Sequence, residues 1–316
     1  MLVSILLLIV GLVILIVGGD FLVRGASSIA LRAHISPLVV GLTIVAFGTS
    51  APELIISLKS ALQGSPDLTM GNVIGSNICN LALVLGITAM IGPVKVSADS
   101  LKIDWPMTMG SSVLLYILIR EGLISKWEGL LFIGILVAYT VFIVRKSRKE
   151  TKALRAIEED LDLPDASSST IWKDIGFLVI GSIGLYFGSE LFVGNAKDLA
   201  INLGVSERII GITVLALGTS LPELVTAIVA SLKKETDLAL GNLMGSNIFN
   251  ILSILGITSI VQEIQVSDEI LDKDMLPMLG ITLVILPMML HRRTISRIEG
   301  GILLLIYLYY TYTVVA

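Results

Sequence analysis

The chain has 316 residues, of which 54% are hydrophobic and only 15% charged, with a mean hydropathy of +0.91 and a formal net charge of −4. A soluble domain carries about 25% charged residues, so this composition excludes a water-exposed globule and makes the bilayer the expected solvent. No basic patch interleaved with aromatics points to nucleic acid. The single cysteine, Cys79, excludes an intramolecular disulfide or a cysteine metal cluster, and His34 and His291 sit beside arginines near expected loops rather than in a ligand cluster.

A spanning helix needs about 20 mostly apolar residues. The first apolar run, residues 2–18, precedes no convincing cleavage site and reads as a span rather than a removed signal. Ten spans are expected: residues 2–23, 36–62, 68–91, 105–119, 127–144, 171–193, 206–232, 238–261, 275–290 and 300–315. Residues 145–170, RKSRKETK and then EEDLDLPDASSS, lack an apolar period and read as a solvated cytoplasmic linker. The linker separates a first five-helix unit, residues 1–144, from a second, residues 171–316. The expected fold is an all-α integral membrane protein of ten transmembrane helices. With both termini outside, sixteen of the 22 Lys and Arg residues fall on the cytoplasmic side and six outside, the bias that orients membrane proteins.

The two units repeat one another. GLTIVAFGTSAPEL (41–54) matches GITVLALGTSLPEL (211–224), and DLTMGNVIGSNICN (67–80) matches DLALGNLMGSNIFN (237–250). The offset is a constant 170, without a gap from Gly18/Gly188 to Thr88/Thr258. Equivalent helices are five spans apart. An odd number inverts the second copy, and inverted repeats are typical of secondary transporters with sites near the midplane.

Within the second span, Gly48 permits unusual backbone angles, Pro52 interrupts the helical ladder, Thr49 and Ser50 bring hydroxyls, and Glu53 places a carboxyl in an apolar segment. Gly218, Thr219, Ser220, Pro222 and Glu223 repeat the set. A discontinuous helix frees carbonyls, expected here at Ala46 and Ala216, and such backbone is tolerated where it faces protein or a wet cavity. Ser50-x-x-Glu53 and Ser220-x-x-Glu223 also fit a capping box. A glutamine would cap nearly as well, whereas a central carboxylate costs roughly 2.5–3.5 kcal/mol on insertion scales. Cation ligation is therefore the favoured role of both glutamates, with capping compatible.

In the third and eighth spans, Asn72, Ser76 and Asn80, and again Asn242, Ser246 and Asn250, are spaced by four and form polar stripes beside Asn77 and Asn247. Asn72 and Asn242 read as helix glue. Ser76, Asn80, Ser246 and Asn250 read as pocket lining. Gly71/Gly75 and Gly241/Gly245 suit close helix approach. Every candidate ligand is an oxygen, which points to a hard cation and favours Ca²⁺ over transition metals, with Na⁺ also suited.

The doubled GTS-x-PE and GN-x-x-GSN-x-x-N motifs resemble the α-repeats of the sodium/calcium exchanger family within the cation/calcium antiporter superfamily. That resemblance implies a Ca²⁺ site centred on Glu53 and Glu223 with the backbone oxygens of Thr49 and Thr219. It implies flanking Na⁺ sites using Ala46, Ser50, Ser76, Ala216, Ser220 and Ser246, and sliding of the first and sixth spans to alternate access. Asparagine at both 80 and 250, where potassium-dependent relatives carry an aspartate at the second position, implies potassium independence. The resemblance further suggests three Na⁺ per Ca²⁺, hence net charge movement.

Asp20 and Glu190 are repeat partners near span ends, where capping or pairing with basic neighbours such as Arg24 is expected. Asp67 and Asp237 suit helix N-termini, and the acidic run 158–165 reads as solvated linker. The expectation is thus a plasma-membrane Na⁺/Ca²⁺ antiporter, not an enzyme, with no cofactor and no obligate protein partner. A proton/calcium antiporter and, further off, a passive cation channel are the alternatives.

Overall fold

The computed structural model describes residues 2–158, 171–203 and 216–315, and helix dominates them. Residues 159–170 of the expected linker, including acidic residues 159–165, and the start of the expected seventh span with Arg208 lie outside the described residues, whereas linker residues 145–158 continue the helix that begins at Lys126. Helix α1, Leu2–Ala33, ends at His34, whose φ of 54° turns the chain toward α2. Helix α2, Pro37–Thr49, starts at Ser36, whose hydroxyl accepts the Val39 N–H, with Pro37 in the first turn. Then follow α3, Ala51–Leu62, and α4, Pro66–Ile91. The first half closes with strand β1 (Val94–Lys95), α5 (Trp105–Leu118), β2 (Leu123–Ile124) and α6 (Lys126–Glu158). The second half comprises α7 (Ile171–Asn202), α8 (Ala216–Thr219), α9 (Leu221–Leu232), α10 (Thr236–Val261), β3 (Ile264–Gln265), α11 (Asp268–Leu290), β4 (Thr294–Ile295) and α12 (Arg297–Val315).

Among the described residues six helices, α1, α4, α6, α7, α10 and α11, are long and apolar enough to cross a membrane, and α2 with α3 adds a seventh as one bent span. This is fewer than the ten spans expected from hydropathy. Residues 105–119 fold mainly as the 14-residue α5, and the span expected at 206–232 is described only as the short α8 and the 12-residue α9.

Helices α4 and α10 form the centre. Their apolar windows are 78% buried, against 28% for α1, α6 and α7, whose outer faces carry exposed Leu, Ile and Val. That inside-out pattern, polar centre and apolar rim, is the one a lipid solvent selects. Helix α10 packs directly on α2: a Cβ at Gly245 would lie 2.7 Å from Leu42 Cα, and one at Gly41 would lie 2.6 Å from the Leu238 carbonyl oxygen. Only residues without side chains allow that approach.

Helices α1 and α7 pair just as tightly. Gly11, Gly18 and Gly25 recur every seven residues on α1 and meet α7 backbone: a Cβ at Gly18 would sit 2.9 Å from Leu185 N, and one at Gly11 2.8 Å from Phe192 N. In return, a Cβ at Gly181 would sit 2.6 Å from Leu22 N. Leu15, Leu22 and Leu185 are fully buried within this antiparallel seam. Lipid supplies no hydrophobic drive between helices, so close backbone packing of this kind holds them together.

Two short sheets cross the halves. Strand β1 pairs antiparallel with β4, matching Val94 with Ile295 and Lys95 with Thr294. Strand β2 pairs antiparallel with β3, matching Leu123 with Gln265 and Ile124 with Ile264. Each half therefore gives one strand to each sheet.

Candidate functional site

The GTS-x-PE segments break their helices at the same repeat position. Ser50 has φ −87°, ψ 5° and Ser220 φ −89°, ψ 5°, a departure from helical dihedrals at the same place in each repeat. Helices α2 and α3 meet there at a 46° bend. Pro52 and Pro222 fall in the first turns of α3 and α9, so their missing N–H groups leave the carbonyls of Gly48 and Gly218 without a helical donor. The Gly218 carbonyl instead accepts the Ser189 hydroxyl at 2.6 Å, a bond from α7 that the sequence reading missed. The Ala46 carbonyl, expected to be freed, accepts the Ser50 N–H at 2.9 Å, because the ladder persists to the break. The same carbonyl also lies 3.4 Å from the Thr49 hydroxyl, a second donor within reach. Ala216 opens α8, and its side chain lies outside the described residues.

No capping box forms at either break: neither Ser50 nor Ser220 makes a side-chain cap bond. Capping boxes appear elsewhere, where Ser125 N–H donates to Glu128 Oε2 at 2.6 Å and Ser296 N–H to Glu299 Oε2 at 2.7 Å. At the break the serine hydroxyl is used across the molecule. Ser50 Oγ donates to Glu223 Oε1 at 3.3 Å, and Ser246 Oγ donates to the same oxygen at 3.4 Å. Thr49 Oγ1 donates to Asn242 Oδ1 at 3.2 Å and lies 3.4 Å from Ser246 Oγ. Thr49 and Ser50 of the first half thus join Asn242, Ser246 and Glu223 of the second in one polar network. Asn72, the repeat partner of Asn242, instead donates to the Glu53 carbonyl and to Ser57 Oγ, tying α4 to α3.

Burial is near complete. Glu53 is 1% exposed and Glu223 0%, while Thr49, Ser50, Ser76, Asn80, Ser220, Ser246, Asn250 and Ala46 are all buried and Thr219 is half-buried. Several of these oxygens have no protein partner: Glu53 Oε2, Glu223 Oε2, Ser220 Oγ, Asn80 Oδ1 and Asn250 Oδ1. Buried acceptors left unpaired are costly, and a bound cation is one kind of partner that would offset that cost. No group of three or more His, Cys, Asp or Glu able to hold a metal occurs among the described residues, so a bound ion would rest on two carboxylates and neutral oxygens. Such a donor set suits an ion that must leave again.

The polar stripes meet where α4 and α10 cross. Asn250 Nδ2 donates to Asn77 Oδ1 at 3.0 Å, and Asn77 Nδ2 to the Asn247 carbonyl at 3.4 Å. Both helices widen there into π-helical turns, Cys79–Val84 and Asn250–Leu255, a feature frequent at functional sites. Asn77 belongs to this junction, a role that its place beside the four-residue stripe does not reveal.

The family model described as sodium/calcium exchanger protein matches residues 3–145 and 173–316. The chain belongs to the sodium/calcium exchanger family. Among relatives of this family, the chain is 40% identical to the putative antiporter CaxA of Alkalimonas amylolytica, over 99% of this chain and 98% of that protein. It is 33% identical to the sodium/calcium exchanger MaX1 of Methanosarcina acetivorans, over 96% of each chain. Its fold matches the structure of the sodium-calcium exchanger NCX_Mj soaked with zero Na⁺ and Ca²⁺, with a TM-score of 0.84, 28% identity and 99% of each chain covered. Membership of this antiporter family, together with the apolar helices, makes the chain a multi-pass membrane protein. The two matched segments of this exchanger-family member leave out residues 146–172.

Proposed function

We propose that this exchanger-family chain is a Na⁺/Ca²⁺ antiporter of ten spans, arranged as two inverted five-helix repeats that alternate access to a central cation site. The observation that carries it is the pair of buried carboxylates, Glu53 and Glu223, each with an unpartnered Oε2, with Glu223 joined to the opposite repeat through Ser50. Two carboxylates balance one Ca²⁺, and neutral oxygens complete a flexible shell of six to eight ligands. Thr49 and Thr219 backbone oxygens join the calcium site in this reading. Ala46, Ser50, Ser76, Ala216, Ser220 and Ser246 supply flanking sodium ligands, with Asn80 and Asn250 lining the pocket. The names of MaX1 and NCX_Mj support sodium as the counter-ion.

The strand pairings support the inverted topology. In a ten-span chain the loops bearing β1 and β4 fall on one face and those bearing β2 and β3 on the other, which is how the strands pair. The Lys and Arg bias then puts both termini outside a cell membrane. Asn250 supports potassium independence, because its Nδ2 donates to Asn77 and an aspartate has no such donor. Exchange of three Na⁺ for one Ca²⁺ moves one charge, worth about 2.3 kcal/mol per 100 mV.

The test is calcium uptake into sodium-loaded proteoliposomes diluted into sodium-free or sodium-containing medium. Uptake that needs the outward sodium gradient, and is lost in Glu53→Gln and Glu223→Gln, is expected. Uptake driven by a pH gradient instead would replace sodium by protons, and uptake without any gradient would indicate a channel.

A further inference from the structure

The repeat-related carboxylates Asp20 and Glu190 occupy equivalent places on α1 and α7 and have opposite surroundings. Asp20 is neutralised twice, by Arg24 Nε at 2.7 Å and by Lys233 Nζ at 2.5 Å. The residues equivalent to Arg24 and Lys233 in the other repeat are Gly194 and Gln63. A second ion pair on the same side, Arg32 Nε to Asp174 Oδ2 at 2.5 Å, corresponds to uncharged Asn202 and Ser4. One end of the α1–α7 pair is therefore stapled by charge, and the equivalent positions at the other end carry none of these staples.

Glu190 lies at that other end. It is exposed, and among the described residues no basic side chain lies within 4 Å of it. Its carboxylate accepts a hydrogen bond from Tyr186 Oη at 3.3 Å. It lines a cleft of about 290 Å³ between α3, α7 and α8, whose walls include Pro52, Ser189, Gly218 and Thr219. Pro52 adjoins Glu53 in the chain and Thr219 adjoins Ser220, so two of the cleft walls are built on the same segments that carry the buried carboxylates.

We propose that Glu190 is the cation-recruiting residue at the mouth of this cleft, concentrating Ca²⁺ on the one face where the cleft opens. The inference rests on the antiporter reading above. A carboxylate in a cleft with low-dielectric walls focuses field lines and raises the local concentration and capture rate of cations. The effect acts twice as strongly on Ca²⁺ as on Na⁺, and it weakens as salt shortens the Debye length. One exposed carboxylate also releases its ion readily, as a mouth must. Asp20, paired to Arg24 and Lys233, cannot do the same at the equivalent place.

The test compares half-saturating calcium on each face of oriented proteoliposomes at low and high ionic strength. Glu190→Gln is expected to raise half-saturating calcium about threefold or more on the cleft face at low salt. The maximal rate and the value on the opposite face stay unchanged, the difference shrinks at high salt, and Glu190→Asp restores it. In Glu190→Cys, a negatively charged thiol reagent restores the low value and a positively charged one does not, with buried Cys79 as the only native thiol. An unchanged half-saturation at low salt, an equal shift on both faces, a fall in maximal rate alone, or equal block by both reagents would overturn the role of Glu190. Sodium-gradient-dependent uptake by the unsubstituted protein, measured in the same vesicles, reports on the antiporter reading separately.

Discussion

Ser50 Oγ donates a hydrogen bond to Glu223 Oε1 at 3.3 Å, joining residues 173 positions apart and from different repeats. The serine that local sequence would assign to capping its own helix serves the other half's carboxylate. The break that releases it, at φ −87° and ψ 5°, is thereby part of the site and not a defect in a span.

That contact predicts a selective defect. Ser50→Ala removes one donor from Glu223 and one hydroxyl from the proposed sodium ligands. A hydrogen bond to a charged group contributes about 1.5–3 kcal/mol, so half-saturating sodium is expected to rise about tenfold, with a smaller change for calcium. Ser50→Thr keeps the hydroxyl and should retain most of the wild-type value. Flux titrations with each ion check this.

Calcium should stabilise the folded protein. A ligand at 100 times its Kd adds about 2.7 kcal/mol, so calcium is expected to raise the Tm in detergent and a chelator to reverse the rise. Glu53→Gln and Glu223→Gln should both lose the calcium-dependent rise, because each removes one of the two carboxylates of the proposed site. A calcium-induced rise that survives in both variants would place the binding elsewhere.

The α1–α7 seam should tolerate no added volume. A Cβ at Gly18 meets Leu185 N at 2.9 Å, whereas Gly176 on α7 has nothing within 4 Å among the described residues. Gly18→Ala is expected to cost about 1–3 kcal/mol through overpacking and to lower the Tm. Gly176→Ala should be neutral or slightly stabilising. Thermal unfolding of the two variants side by side gives the comparison.

A second symmetric feature lies away from the central site. Tyr139 Oη donates to Asp104 Oδ1 at 3.0 Å, and Tyr310 Oη donates to Asp274 Oδ1 at 2.9 Å. Asp104 is 2% exposed and its Oδ2 has no partner, so the loss of Tyr139 would strand a second oxygen. Tyr139→Phe is expected to destabilise by about 1–3 kcal/mol. Tyr310→Phe should cost less, since Asp274 is only half-buried. Denaturation midpoints in detergent measure both.

The strand pairs make the topology testable without transport. Cysteines replacing Lys95 and Thr294 should react with an impermeant thiol reagent from one face of the membrane, and cysteines replacing Leu123 and Gln265 from the other. Labelling of Lys95→Cys and Thr294→Cys from opposite faces would contradict the proposed ten-span topology.

Much of this was legible along the chain. The 170-residue offset, the proline-interrupted GTS segments and the apolar composition predicted a duplicated membrane protein with broken helices, and the breaks fall at Ser50 and Ser220. Three features were written in the sequence and unreadable there. Gly11, Gly18 and Gly25 keep a seven-residue spacing, but their meaning depends on the backbone of α7 passing against them. Asp104 and Tyr139 are 35 residues apart on different helices, with nothing local to connect them. Ser50-x-x-Glu53 and Ser125-x-x-Glu128 look alike as strings, yet of the two only Ser125 closes a capping box. The difference is tertiary, because Ser50 has a carboxylate of the other repeat within reach.

The sequence by itself determined the solvent, the duplication and the chemical kind of the site. Those follow from composition, from a constant offset and from which side chains carry oxygen, none of which depends on how the chain is folded. Only the tertiary structure decided which hydroxyl serves which carboxylate, which glycines bear the helix contacts and which of two equivalent acids is left, among the described residues, without a lysine or arginine partner. The physical reason is range. Hydrogen bonds and ion pairs act over about 3–4 Å, and partners such as Ser50 and Glu223, or Asp20 and Lys233, come within that distance only when the two repeats pack against each other.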